Sequence, residues 1–191
     1  MEKKSLNLAL FASGNGSNAE NIVHYFKDND RINPNLILTN KAGAYVLQRA
    51  KNLGIDAKVF SPSELKEGAM IRRWMQEYQI DFIVLAGFLL KIPDYLIELF
   101  PQKIINIHPA LLPKFGGKGM YGDRVHQAVK EAGEPETGIT IHYVNEHYDE
   151  GQIIFQEKVA VLPSDTPAQI AEKVHALEYE HFPRVIEKIL S

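Results

Sequence analysis

The residues with the clearest chemical potential are Asn106 and His108, which lie in the segment Lys103–Lys114 with the sequence KIINIHPALLPK. Side chains in a strand alternate between its two faces, so the amide of Asn106 and the imidazole of His108 are predicted to lie side by side. Pro109 cannot donate a hydrogen bond to a sheet ladder, and the pair is therefore predicted to lie where a strand ends. In an open parallel α/β sheet, ligands bind at that edge.

Asp149 adds a carboxylate to this pair. It lies in the polar part of HYVNEHYDEG, between two apolar runs that are typical of strands and would return it to the same sheet edge. A carboxylate near His108 would favour the imidazolium and raise the pKa of the ring. The three groups suit direct attack of an amine on a carbonyl carbon: Asn106 and protonated His108 would stabilise the tetrahedral oxyanion, and Asp149 would help to move protons. Without Asp149, a buried polar pair that satisfies backbone groups is the slightly favoured interpretation.

Two other constellations are weaker. His142, His147 and Asp149 could be drawn as metal ligands, but their spacing matches no standard zinc pattern. Ser13 and Ser17 lack the GxSxG elbow of a nucleophilic serine. The remaining histidines and several basic residues are predicted to lie on solvated helix faces; they are His24, His126, His175, His181, Arg49, Lys51, Arg72 and Arg73.

A glycine-containing loop, GNGSNA at residues 14–19, follows the first apolar run and precedes a segment with helical periodicity. Its glycines permit a tight turn, and free N–H groups at a helix start attract an anion. The loop formally satisfies the dinucleotide fingerprint, but Thr39, Asn40 and Lys41 stand where a nicotinamide cofactor would need an acidic residue. Ser17 and Asn18 are side-chain donors suited to a single terminal phosphate. Phosphate binding is therefore favoured, with dinucleotide binding and a purely structural turn left open.

The elements that must position these residues alternate along the chain. Strands are predicted over residues 6–12, 35–39, 57–60, 80–88, 103–108, 137–144 and 152–161. Helices are predicted over about 17–27, 42–53, 63–79, 93–100, 125–131 and from 166 onward, where Pro183 should break or kink the last one. This order predicts an α/β fold with a doubly wound, mainly parallel, Rossmann-like sheet and an antiparallel C-terminal portion. We expect one domain over residues 1–191.

Composition limits the functions that need to be considered. The chain has 191 residues and a formal net charge of -3, which gives no overall attraction to nucleic acid, so no nucleic-acid partner is expected. It has no cysteine, which excludes disulfides, thiolate metal sites and thiol nucleophiles and fits a reducing, cytoplasmic compartment. No apolar run approaches the roughly 20 residues that span a bilayer, so no membrane partner is expected.

Four motifs together carry a family resemblance, and they extend over essentially the whole chain: FASGNGSN, VLAGFLLKIP, NIHPALLP and GITIHYVNEHYDEGQII. With them the sequence resembles the phosphoribosylglycinamide formyltransferases, folate-dependent enzymes of purine biosynthesis. The third and fourth motifs are specific for the wider formyltetrahydrofolate-dependent superfamily, and SGNGSN narrows the resemblance to the glycinamide branch. The resemblance implies the formyltransferase type of fold. It also implies formyl transfer from 10-formyltetrahydrofolate to the amine of glycinamide ribonucleotide, without a metal.

The resemblance also assigns residues to roles. Asn106, His108 and Asp149 would be catalytic, as the local chemistry suggests. The substrate phosphate and ribose would be held by Gly16, Ser17, Asn18 and Glu178. The folate would meet Leu89, Leu90, Ile92 and Asn106, and the bond between Leu112 and Pro113 would be cis.

The sequence departs from the family pattern in three places. The family commonly has Met-Arg-Ile-Leu where this chain has Leu89, Leu90, Lys91 and Ile92, so the role of the arginine is absent or shifted to Lys91. Lys66 is the candidate contact for the glutamate tail of the folate, and the glycine loop Phe115–Gly122 is longer than usual. Such a loop could act as a lid. Two alternatives remain: a formyltetrahydrofolate hydrolase, which would use water in place of an amine, and a non-catalytic sensor of phosphoribosyl ligands. The sequence does not predict an oligomeric state.

Overall fold

The structure is a computed structural model and describes residues 5–191. These residues fall into two compact units, one that ends at Ile105 and includes Leu190–Ser191, and one that comprises Asn106–Ile189. The elements up to the end of the first unit are β1 (Leu6–Phe11), α1 (Ser17–Tyr25), β2 (Ile32–Thr39), α2 (Val46–Leu53), β3 (Asp56–Val59), α3 (Pro62–Glu67), α4 (Ala69–Glu77), β4 (Ile80–Leu85) and α5 (Asp94–Leu99). The elements that follow are β5 (Ile104–His108), α6 (Asp123–Glu131), β6 (Glu136–Tyr143), β7 (Ile153–Ala160) and α7 (Pro167–Leu190).

The strands form a seven-stranded sheet in the order β3-β2-β1-β4-β5-β6-β7. β1 pairs in parallel with both β2 and β4, and β2 pairs in parallel with β3. β6 and β7 are antiparallel. The predicted fold class, a mainly parallel doubly wound sheet with an antiparallel C-terminal portion, is confirmed. A single domain over residues 1–191 stays a prediction.

The first unit is built on strands that are buried on both faces. Leu8 to Phe11 in β1 are inaccessible to solvent, which fits their near-continuous apolar sequence. The rings of Phe11, Phe60 and Phe88 pack together with centroids 5.3 to 6.0 Å apart, a favourable edge-to-face and tilted arrangement. This core lies beneath the glycine loop that follows β1, so the loop begins from a rigid strand.

Two predicted boundaries are wrong for identifiable reasons. The helix predicted over residues 63–79 is two helices, because Gly68 adopts a left-handed conformation with φ of 80° and ends α3. β2 begins at Ile32, before the predicted residue 35, and it accommodates Pro34 through a register shift opposite Leu8 and Ala9.

In the second unit, α7 presents an apolar stripe in which one position is a carboxylate. Ile170, Val174, Glu178 and Phe182 recur every four residues and are buried. The helix continues through Pro183 and does not break there, so of the two predicted outcomes only a kink stays a prediction. Within residues 5–191, no helix combines the length and apolar character needed to cross a membrane.

Candidate active site

His108 is the last residue of β5 and is almost fully buried, with 3% of its surface exposed. Its Nε2 donates a hydrogen bond to the main-chain oxygen of Phe115 over 2.7 Å, since a carbonyl oxygen can only accept. Its Nδ1 lies 3.5 Å from Oδ2 of Asp149, a distance at which the charges interact but a strong hydrogen bond is not formed. The structure thus brings His108 and Asp149 together, as the sequence predicted.

Asp149 lies in the turn between β6 and β7 with a left-handed backbone, φ of 56°. Aspartate tolerates this conformation better than most residues, because its short polar side chain can bond locally. Its Oδ2 accepts a hydrogen bond of 2.9 Å from the main-chain N–H of Gly117. The carboxylate therefore has a fixed orientation beside the imidazole.

His142 is a buried member of this cluster that sequence reasoning considered only as a metal ligand. Its Nδ1 donates to the main-chain oxygen of Tyr143 over 2.9 Å, and its Nε2 accepts from Nδ2 of Asn106 over 3.2 Å. The same Nε2 lies 3.6 Å from Oδ1 of Asp149. His142 thus links the amide of Asn106 to the carboxylate. Within residues 5–191, no group of three or more His, Cys, Asp and Glu side chains is placed to hold a metal ion.

The strand alternation that paired Asn106 with His108 could also have found His142. In β6, Thr140 and His142 share one face, and Ile139 and Ile141 share the other. A histidine on the polar face of a strand next to the Asp149 turn was therefore visible as a candidate. The contact of His142 with Asn106 was not visible in the sequence, because it joins residues that are 36 positions apart.

Burial and charge act on this cluster in opposite directions. Burial lowers the pKa of His108 below its ordinary value, although Asp149, the carbonyl oxygen of Phe115 and the charge of Glu178 oppose it. The sequence predicted a raised pKa for His108, and that prediction has to be corrected: Asp149 acts as expected, but burial outweighs it. For Asp149, burial acts to raise the pKa, and His142, His108 and the Gly117 N–H together lower it.

The chain that follows His108 is held by the side chains of Thr140 and Gln156. The Thr140 hydroxyl donates to the carbonyl oxygen of Ala110 over 2.7 Å and accepts from the N–H of Leu112 over 3.0 Å. Nε2 of Gln156 donates to the carbonyl oxygen of Leu112 over 3.0 Å. The bond between Leu112 and Pro113 is cis, as the family resemblance implied. These contacts fix the segment that leads from His108 into the glycine loop.

Glu178 is buried in the stripe of α7 and accepts a hydrogen bond from Nδ1 of His175 over 2.9 Å. That bond is the main cause of a raised pKa for His175. The rings of His175 and His126 meet nearly perpendicularly at 6.2 Å. His126 was predicted to lie on the helix surface, and this is wrong: only 2% of it is exposed. An isolated histidine in a short helix carries no sequence signal that separates these cases.

The glycine loop of the first unit ends in Gly16, which caps α1 with φ of 75°. A Cβ on this residue would lie 2.2 Å from Cγ2 of Val46, so both the conformation and the space require glycine. Gly16 has no side chain that could cap the N-terminus of α1. The following residues, Ser17 and Asn18, are half-buried. Helix N-termini present main-chain N–H groups that bind anions well, so the start of α1 suits an anion.

Arg49 holds this loop from α2, although the sequence placed it on a solvated helix face. Its Nε donates to the carbonyl oxygen of Asn15 over 2.9 Å, and its Nη2 donates to Oδ1 of Asn15 over 2.7 Å. It also pairs with the carboxylate of Glu20. The predicted solvated position is therefore wrong. A bidentate contact between a helix and a loop depends on tertiary packing, which sequence spacing alone does not indicate.

The residues predicted to meet the folate lie in the first unit, apart from Asn106. The N–H of Leu89 donates to Oγ of Ser13 over 3.0 Å, and that hydroxyl donates to Oδ1 of Asn40 over 2.6 Å. Ser13 is therefore occupied in holding the segment after β4 and not placed as a nucleophile. Ile92 is buried, Leu90 is half-buried, and Lys66 and Lys91 are exposed.

Similarity to a known family bears on the cluster around His108 and on the residues predicted to meet the folate. Residues 6–186 match the family model described as formyl transferase. The chain belongs to the formyl transferase family. It is 41% identical to the chloroplastic phosphoribosylglycinamide formyltransferase of Arabidopsis thaliana, over 98% of this chain and 66% of that relative. It is 37% identical to the phosphoribosylglycinamide formyltransferase of Bacillus subtilis, over 95% of this chain and 93% of that relative.

Solved structures of formyl transferases agree with the fold. The phosphoribosylglycinamide formyltransferase of Bacillus halodurans is 36% identical and superposes with a TM-score of 0.89, covering 97% of this chain and 95% of that one. The family that the four sequence motifs indicated is therefore confirmed, and with it the predicted enzyme class. The chain spans 66% of the length of the Arabidopsis relative.

Proposed function

We propose that the chain transfers a formyl group from 10-formyltetrahydrofolate to the amine of glycinamide ribonucleotide, N1-(5-phosphoribosyl)glycinamide, in de novo purine biosynthesis. The main support is the cluster of Asn106, His108, His142 and Asp149, in which an amide, two imidazoles and a carboxylate lie within 3.6 Å contacts of one another. The names of the relatives from Arabidopsis thaliana and Bacillus subtilis agree with this choice of reaction.

The reaction is a direct transfer that needs no covalent enzyme intermediate. The amine nitrogen bonds to the formyl carbon, and the carbonyl electrons move to oxygen to give a tetrahedral oxyanion. As the oxyanion collapses, the bond from carbon to N10 of the folate breaks. The amine loses one proton and N10 gains one, so the products are the formylated ribonucleotide and tetrahydrofolate. Asp149 is suited to move that proton because its lowered pKa keeps it ionised near neutral pH.

Asn106 and His108 are suited to hold the oxyanion. Nδ2 of Asn106 gives one N–H to His142, which leaves its second N–H for the oxygen. His108, on gaining a proton at Nδ1 during the reaction, would place a positive charge in a site that is almost fully shielded from water, where charge stabilisation is strongest. Asp149 at 3.5 Å supports that charge against the effect of burial.

The ribonucleotide would be held by groups on two elements. Its phosphate would accept hydrogen bonds from the main chain of Gly16 and from Ser17 and Asn18 at the start of α1. Its ribose hydroxyls would donate to Glu178, whose carboxylate is already oriented by His175 over 2.9 Å. The proposal involves no metal.

The folate would contact the segment after β4 mainly through carbonyl oxygens and apolar side chains. Since the N–H of Leu89 is already bonded to Ser13, the pterin would use the carbonyl oxygen of Leu89. Leu90 would supply apolar contact, whereas Ile92 is 3% exposed and would support the segment from beneath. Exposed Lys91 and Lys66 are the candidates for the charged glutamate tail.

Tetrahydrofolate release from 10-formyltetrahydrofolate, followed by absorbance with and without glycinamide ribonucleotide, tests the proposal. We expect release that depends on the ribonucleotide, with the formylated product confirmed by mass spectrometry. Equal release without the ribonucleotide would indicate a hydrolase. No release from folded protein that binds the ribonucleotide would indicate the non-catalytic sensor.

A further inference from the structure

Two residues of the glycine loop, Phe115 and Gly117, bond the catalytic cluster through their main chain. The carbonyl oxygen of Phe115 accepts from Nε2 of His108 over 2.7 Å. Two residues later, the N–H of Gly117 donates to Oδ2 of Asp149 over 2.9 Å. One short segment thus bonds both partners of the His108–Asp149 pair.

The Phe115 contact determines where the protons of His108 reside. Because a carbonyl oxygen cannot donate, Nε2 must carry hydrogen in both the neutral and the charged ring. The proton that is gained and lost is therefore the one on Nδ1. That nitrogen faces Asp149 at 3.5 Å, too far for a strong hydrogen bond, so it remains able to accept a proton from another group and, once protonated, to donate one.

We propose that the main chain of Phe115–Gly117 positions the catalytic pair, by reserving Nδ1 of His108 for proton exchange with substrate and by aiming the carboxylate of Asp149 at it. Phe115 and Gly117 are positioning residues and need not touch substrate. This inference rests on the proposed function for its catalytic meaning. The assignment of the ring protons does not depend on it.

The backbone of this segment is in the conformation that such a role requires. Phe115 has φ of 55°, a conformation that is strained for an aromatic residue and persists only where the surroundings hold it. Gly117 has φ of 92°. The neighbouring Lys114 is anchored through its Nζ to both carboxylate oxygens of Glu134, over 2.9 and 3.1 Å. Lys114, Phe115 and Gly117 therefore each bond this segment to the rest of the second unit.

The two buried histidines of the cluster provide an internal comparison. Nδ1 of His142 donates to the carbonyl oxygen of Tyr143, so its neutral ring carries hydrogen on Nδ1. His108 is assigned hydrogen on Nε2. The two rings therefore have opposite neutral tautomers in one site.

Nitrogen-15 spectra of the labelled wild-type protein test the assignment without any assay of activity. Resonances are assigned with His108→Gln and His142→Gln, and spectra are taken on the alkaline side of both titrations. We expect a protonated Nε2 for His108 and a protonated Nδ1 for His142. A protonated Nδ1 in neutral His108, or the same tautomer in both rings, would overturn the proposal.

A matched pair of glycine variants tests the positioning role. Gly117→Ala and Gly119→Ala introduce the same backbone strain, since φ is 92° and 90° and a Cβ meets nothing within 4 Å at either position. For Gly117→Ala we expect kcat to fall about 10- to 100-fold with KM for both substrates changed less than about threefold, the effect of misplaced catalytic groups. For Gly119→Ala we expect kcat within about threefold of wild type.

The outcomes separate this proposal from the proposed function. Equal losses of kcat in the two variants, at matched thermal stability, would mean that the loop matters only for folding and would overturn the positioning role. If wild type releases no tetrahydrofolate, the proposed function fails, and the spectra of wild type and Gly117→Ala decide the proposal by themselves. Loss of the Nε2–H tautomer in Gly117→Ala but not in Gly119→Ala is the expected spectral result.

Discussion

The two candidate binding regions are built in opposite ways, although each depends on a glycine loop. At the start of α1, the main chain is the proposed binding group, and the side chain of Arg49 holds the loop from outside through Asn15. At the end of β5, side chains are the proposed reacting groups, and main-chain atoms of Phe115 and Gly117 hold them. Main-chain atoms are thus the proposed binding groups in the first region and the positioning groups in the second.

This difference follows from what each region has to do. A phosphate carries fixed charge, and helix N–H groups can bind it without any change of protonation. A transfer reaction moves protons, and only side chains such as His108 and Asp149 can gain and lose them. We therefore expect changes in the loop of the first unit to affect substrate binding and changes in the cluster of the second unit to affect turnover.

Asp149→Asn should give the largest effect. Asparagine also tolerates the left-handed backbone at φ of 56°, so the substitution removes the charge without adding strain. We expect kcat to fall about a hundredfold or more, with ribonucleotide affinity nearly unchanged, because proton transfer and support of the imidazolium are both lost. Glu150→Gln, which removes the exposed neighbouring charge, is the control. Comparable losses of kcat and affinity in Asp149→Asn would contradict its assigned role.

Gly16→Ala should show the reverse pattern. Its Cβ would meet Val46 at 2.2 Å and its φ of 75° would be strained, so the start of α1 must move. We expect KM for the ribonucleotide to rise about 10- to 100-fold and kcat at saturation to change far less. Gly14→Ala is the matched control, since a Cβ there meets nothing within 4 Å and its φ lies outside the left-handed range. A fall in kcat with unchanged KM would break the comparison between the two regions.

Arg49→Ala should give a smaller effect of the same kind. Loss of the contacts with Asn15 would loosen the loop without blocking it, and about 1 kcal/mol of lost positioning corresponds to a roughly fivefold rise in KM for the ribonucleotide. Arg49→Lys should recover only part of this, because an ammonium cannot make the bidentate contact. Lys51→Ala, on the exposed face of the same helix, serves as the control. An unchanged KM in Arg49→Ala would mean that the loop holds its conformation alone.

The sequence predicted those features that depend on local order. Alternation along β5 paired Asn106 with His108, and the polar turn placed Asp149 beside them, as the 3.5 Å contact with His108 shows. Gly54, which ends α2 with φ of 68°, is likewise a local signal, because glycine is the usual residue for a left-handed helix cap. The fold class was predictable for the same reason, because the order of strand and helix signals limits the connections of a doubly wound sheet.

What the sequence did not predict depends on contacts between distant residues. The bonds from Arg49 to Asn15 and from Asn106 to His142 join elements that are 34 and 36 positions apart. The predicted direction of the His108 pKa shift was wrong for a related reason. It depends on how completely the ring is buried, and no single stretch of sequence specifies that.

The smallest expected effect concerns acid stability and uses His126. Nδ1 of this buried ring makes no hydrogen bond to any of residues 5–191, and burial, reinforced by His175, lowers the pKa of the ring in the folded state. Because the unfolded chain then binds the proton more readily, the free energy of unfolding should fall as pH drops below about 6.5. His108 acts in the same sense, whereas His175, whose pKa is raised, adds stability in acid and loses it as pH rises.

His126→Gln isolates the contribution of one ring from that sum. Glutamine cannot gain a proton, so the fall in unfolding free energy between pH 7.5 and 5.5, measured from urea midpoints, should be smaller in the variant than in wild type. His24→Gln, at an exposed position of α1, should leave the fall unchanged. An equal fall in His126→Gln and wild type would mean that the buried ring is already charged or reaches water. His126 would then not count among the buried titratable groups that distinguish the second unit from the first, whose proposed site uses the main chain.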